Sequence, residues 1–125
     1  MKRDMDLIRD LLLRIEETPA NAHPDDIAVE GYDEAAINEH LEMLIQDGFV
    51  AGKVNYSGMG DERIYLVVVK RLTWKGHDFV DTIRNDTVWK NTKRTILEKG
   101  GAMSLEIVSA IAAGFAKQLL GLPPG

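Results

Sequence analysis

Apolar residues recur along this chain in two rhythms, and the change from one to the other marks its elements. Ile8, Leu11, Leu12 and Ile15 return every three or four positions between Asp4 and Glu17, the stripe of a one-sided helix capped by Asp4 and stopped by Thr18 and Pro19. A second helix is predicted after Asp33 on Ile37, Leu41, Leu44 and Ile45, with Tyr32 and Ile37 spaced as a hydrophobic staple and Gly48 as its end. The rhythm then shortens. Phe49 to Val54 reads as one strand and Arg63 to Val69 as another, with Asn55, Ser57, Gly58, Gly60 and Asp61 as the polar tip between them. Ile64, Tyr65, Val67, Val68 and Val69 make both faces of the second strand apolar, so helices are expected to cover it. Thr73 caps a third helix bearing Phe79, Val80 and Ile83; Asn85, Asp86 and Thr87 break or restart it, and Val88, Trp89, Ile96 and Leu97 extend the pattern to Gly100 and Gly101. Ser104 caps a last helix.

That last helix is apolar nearly all round, through Leu105, Ile107, Val108, Ile111, Phe115 and Leu119 with interleaved alanines and Gly114. It falls short of the roughly twenty residues a bilayer requires, so no membrane span is expected. The helix is expected to be buried in its own core or against another chain, and Ile107, Ile111, Phe115 and Leu119 are the candidate self-association residues of a homodimer. Ala20 to Asp26 reads as a loop, and Ile27, Ala28 and Val29 as a short strand pairing with the hairpin.

Composition narrows the class. With 125 residues and no cysteine, one self-sufficient core is expected without disulfides or thiolate metal sites, and the start Met1, Lys2, Arg3, Asp4 has no signal-peptide core, so a cytoplasmic location is expected. The net charge of −5 conceals a division: residues 4–62 balance to −12 and residues 63–99 to +5. One half is acidic and the next is basic.

Four stretches, MKRDMDLIRDLLLRIEE, INEHLEMLIQDGFVAG, LTWKGHDFVDTIRNDTVW and SLEIVSAIAAGFAKQLLGL, are similar to an uncharacterised bacterial and prophage family described as a domain of unknown function, whose members begin MKRDMDLIR and carry LTWxGHDFLD. This resemblance spans nearly the whole chain and implies a small cytoplasmic protein of phage-related regions, with no established activity or site. HLEMLIQDGFV, the hairpin and Leu72, Thr73 and Gly76 also resemble winged-helix transcription factors. The expected fold is thus α+β, mainly helical: a winged-helix-like domain over residues 1–85, with a small antiparallel hairpin as its wing, and a C-terminal helical extension over 86–125 packing on it or on a partner subunit.

The winged-helix resemblance implies that the helix after Asp33 enters a DNA major groove and that the wing meets phosphates. Yet its outward positions are Glu34, Asn38, Glu39 and Glu42, and only Asn38 is a base-reading type. A DNA-binding regulator would therefore use the basic segment: Lys53, Arg63, Lys70, Arg71, Lys75, Lys90, Lys93 and Arg94. The alternative is a protein-interaction module, such as a phage adaptor, inhibitor or nucleic-acid mimic, that offers Glu34, Glu39 and Glu42 to a host or phage protein. The remaining chemistry is sparse. His23, His40 and His77 share no metal-ligand spacing, and His40 beside Leu41 and Leu44 reads as a core-edge histidine. His77, Asp78 and Asp81 read as solvated or capping charge, and Gly58 and Gly60 as a hairpin tip. Trp74 and Trp89 read as core anchors, with base stacking as the alternative. No catalytic residue, metal or cofactor is expected, and the protein is read as a non-enzyme.

Overall fold

A computed structural model describes residues 2–19, 27–58, 63–100 and 104–123. The order of elements is α1 (Met5–Glu17), α2 (Glu34–Gln46), β1 (Val50–Tyr56), β2 (Ile64–Leu72), α3 (Trp74–Ile83), α4 (Asp86–Glu98) and α5 (Leu105–Leu119). The architecture is α+β and mainly helical, with one antiparallel hairpin following α2 as a wing would. Two compact units divide within α3, Met1–His77 and Asp78–Gly125.

Local chemistry sets the helix starts. Asp4, Asp33, Asn85 and Ser104 each accept the N–H three residues on, at 3.1, 2.8, 3.0 and 3.1 Å, and Thr73 does the same for Gly76 at 3.1 Å. Asn85 thus restarts a helix, and α3 and α4 are separate. At the end of α2, Gly48 adopts φ +82°, which lets its N–H reach Ile45 O at 3.2 Å and the Phe49 N–H reach Leu44 O at 2.9 Å. This Schellman closure satisfies two terminal carbonyls and turns the chain into β1.

In the first unit, α1 and α2 pack on each other and on the hairpin. Leu7, Leu11, Leu12, Leu44 and Val50 are buried there, each contributing about 1.5–3 kcal/mol of apolar transfer free energy. The second unit buries Val88, Ile96, Val108 and Ala112 where α4 packs on α5. Thr92 is also buried, its hydroxyl donating to Val88 O at 2.7 Å.

Three expectations are corrected. Residues 27–29 form no strand: the Val29 carbonyl accepts the Tyr32 N–H at 3.2 Å, so the chain is already turning toward α2 where a ladder would have to run. Nor is β2 covered on both faces, since Leu66 is 48% exposed while Val69 is buried. The strands also run further than expected, β1 to Tyr56 and β2 to Leu72. The expected loop from Ala20 to Asp26, Gly60 and Asp61 at the hairpin tip, His23 and Gly101 lie outside the described residues.

Candidate functional site

The segment LTWKGHDF joins the hairpin to α3, and most of its residues have a visible structural task. Leu72 is buried. The Thr73 N–H donates to Phe49 O at 3.1 Å, and its hydroxyl donates to Gly48 O while accepting from Gly76. Lys75 donates to Asp47 O at 3.0 Å and holds its ammonium 4.5 Å from the centre of the Phe49 ring. Gly76 lies so close to the same turn that a Cβ there would stand 2.1 Å from Phe49 O. Together these contacts fasten the first turn of α3 to the α2–β1 turn.

Trp74 takes no part in this fastening and is 84% exposed. The reason is angular. Leu72, Gly76, Phe79, Val80 and Ile83 form the inward stripe, and at about 100° per residue Trp74 stands about 200° from Gly76, on the opposite side. The reading of both tryptophans as core anchors therefore holds for Trp89, which is 5% exposed with Lys93 Nζ 6.0 Å from its ring centre, and is overturned for Trp74.

The basic candidates fall into two groups. Lys53, Arg63, Lys70 and Arg71 are exposed on the hairpin, whereas Lys75 is engaged with the α2–β1 turn as described. Ala51 faces Arg71 and Gly52 faces Val69, so Lys70 is the extra residue of a bulge, which turns the strand locally and leaves Lys70 and Arg71 exposed side by side in the chain. Lys90 and Arg94 are exposed on α4 in the other unit, with Lys93 half-buried against Trp89.

Of the α2 candidates, Glu34 and Glu39 are exposed, and Glu42 is half-buried, accepting the Tyr56 hydroxyl at 2.5 Å. Asn38 is half-buried and lines a cavity of about 310 Å³ with Glu34, Ile37, Leu41, Leu66 and Val67. In α5, Ile111 and Phe115 line an open apolar groove of about 320 Å³ together with Thr95 and Leu122, while Ile107 and Leu119 are 41% and 59% exposed.

A half-buried network around Asp4 was not legible in the sequence, where Asp4 is only a cap and Tyr32 only a staple. The Asp4 carboxylate caps α1 and accepts the Tyr32 hydroxyl at 2.6 Å, while the Asp4 N–H donates to His40 Nε2 at 2.9 Å. His40 Nδ1 lies 2.7 Å from Ala36 O, so the tautomer that satisfies both contacts carries its proton on Nδ1. His40 is 2% exposed, a core histidine that ties two helices together. Donation to the Asp4 carboxylate, then burial, then the charges of Asp4, Asp6 and Asp10 push the Tyr32 phenol up to about 12. His77 is exposed, with Nδ1 4.0 Å from Glu16.

Fold and surface define a mainly helical α+β protein with one hairpin and an exposed tryptophan set in a fastened turn. Residues 2–102 match the family model described as Hypothetical protein (DUF2513), and the chain belongs to that family. It is also 34% identical over 123 residues to an uncharacterized protein of Haemophilus influenzae, covering 96% of this chain and 99% of that one. No solved structure matches the chain. Among the described residues no helix is long and apolar enough to cross a membrane.

Proposed function

We propose that the protein is a non-enzymatic interaction module on a winged-helix-type scaffold, and that Trp74 is the anchor a partner protein covers. The exposure of Trp74, 84% beside Thr73, Lys75 and Gly76, which fasten the fold, carries this reading. A fastened backbone at Trp74 lowers the ordering cost of binding, and tryptophan is enriched among the few residues that dominate interface energies. Lys70 and Arg71, exposed just before it in the chain, suit an acidic partner surface. The resemblance to a bacterial and prophage family supports a cytoplasmic, phage-type module, with self-association through α5.

Exposure of Lys53, Arg63, Lys70 and Arg71 on one hairpin favours a second reading, a DNA-binding regulator that meets phosphates through the hairpin. Direct groove reading by α2 is disfavoured by the acid at Glu34 and Glu39 and by the place of Asn38 on a cavity wall. A photo-crosslinking amino acid at exposed position 78, one helical turn from Trp74 and leaving the indole in place, is introduced in cells and tests both. A discrete protein adduct abolished by Trp74→Ala and weakened by Lys70→Glu with Arg71→Glu is the expected result, a nuclease-sensitive adduct supports the DNA reading, and an adduct indifferent to Trp74→Ala, or none at all, refutes the anchor. Purified protein that binds a random duplex library at low salt, and loses that binding on Lys70→Ala with Arg71→Ala, would likewise favour the regulator.

A further inference from the structure

The cavity beside α2 has a shape that the Trp74 reading does not use. Leu66 and Val67 both line it, although neighbours on a strand point to opposite faces, and none of its lining residues belongs to β1. It therefore wraps around the edge of β2 away from β1. Across the gap stand Ile27 and Ala28, and among the described residues no backbone hydrogen bond joins 27–29 to β2. The sheet has two strands, so this edge of β2 presents a main-chain ladder with no partner strand among the described residues.

We infer that the edge of β2 over Leu66–Val69 is a strand-addition site, which takes an extended segment of a partner protein with apolar side chains at alternate positions and a lysine or arginine at the α2 end. Main-chain bonds to β2 would supply affinity. Selectivity comes from the walls. Ile37, Leu41 and Val69, nearly fully buried, and the half-exposed Leu66 make up part of the apolar lining. Glu34 is the only charged residue in the lining, exposed and one helical turn from Asn38, and it selects a cation over an anion. This inference rests on the interaction reading only in that the occupant is a protein segment. Trp74 lies outside the cavity lining, so Trp74→Ala leaves strand addition intact if both are right.

The probe is a blocked hexapeptide alternating valine and lysine, added to the full-length protein at low salt while backbone amide signals and their hydrogen exchange are followed. Saturable one-to-one binding, with new protection of amides in Leu66–Val69, is expected. Methylation of alternate peptide nitrogens, which removes the main-chain donors and keeps the side chains, should weaken it at least about tenfold. Replacing the lysines by glutamate should weaken it about fivefold, and Glu34→Lys, an exposed change that leaves the core untouched, should reverse that preference. Equal binding of the methylated peptide, indifference to the charge swap, or no binding at millimolar peptide overturns the inference. So does protection of the same amides in the free protein, which would mean that the chain itself covers the edge.

Discussion

Replacing Gly76 by alanine sets local propensity against tertiary contact, with opposite signs. Helix propensity alone makes alanine better than glycine by about 1 kcal/mol in a helix such as α3. The surroundings of Gly76 reverse this. The new Cβ would lie 2.1 Å from Phe49 O, 3.1 Å from Phe49 C and 3.3 Å from Leu72 Cβ, and the first two are backbone atoms of a closed turn that cannot rotate away. Relief requires α3 to move off that turn. The bonds then at risk are Thr73 N–H to Phe49 O, the Thr73 hydroxyl to Gly48 O and Lys75 to Asp47 O. At about 1 kcal/mol each they amount to about 3 kcal/mol, so about 2 kcal/mol of net destabilisation remains after the propensity gain. Gly114 is the internal control, since it sits within α5 and a Cβ there meets no atom within 4 Å. Gly114→Ala should stabilise by up to about 1 kcal/mol. Urea denaturation followed by circular dichroism, run in parallel on the two variants, should show midpoints moving in opposite directions. A neutral or stabilised Gly76→Ala would refute the close approach of α3 to the α2–β1 turn.

Three further outcomes are expected. His40→Ala should destabilise by about 2–4 kcal/mol in denaturant titrations, because it opens a core site and leaves the Asp4 N–H without its partner; a change below 1 kcal/mol would count against the network. Tyr32 stands at about 12 when folded against about 10 when unfolded, so the unfolded chain loses the proton first; its stabilising effect is full below pH 10 and is lost between pH 10 and 12. That loss should vanish from stability-versus-pH curves in Tyr32→Phe, and the phenolate absorbance titration should lose its highest step. If α5 joins subunits, light scattering after size exclusion should give a dimer at high micromolar concentration, and Ile107→Glu with Leu119→Glu, both at exposed positions, should give a folded monomer; a wild type that is monomeric throughout refutes self-association.

Periodicity and capping chemistry are local, and they were enough to order the helices and the hairpin and to assign caps to Asp4, Asp33, Thr73 and Ser104, because a cap depends on a side chain reaching an N–H three residues away. Gly48 was readable for the same reason, since only its own φ is at stake. Side-chain type did not reveal burial where the answer lay in another element. Trp74 has the composition of a core residue, and only the fastening of Thr73, Lys75 and Gly76 onto the α2–β1 turn fixes the rotation of α3 that turns it to solvent. Lys75 belongs by charge with Lys70 and Arg71, yet the Asp47 carbonyl and the Phe49 ring claim it. The strand expected at residues 27–29 required a partner that local pattern cannot specify, and the turn at Val29 competes for its backbone. Asp4, Tyr32 and His40 are separated by 28 and 36 positions from first to second and first to third, so their network is visible only once α1 and α2 are packed; hydrogen bonds across such distances are decided by tertiary approach, which no window of the sequence contains.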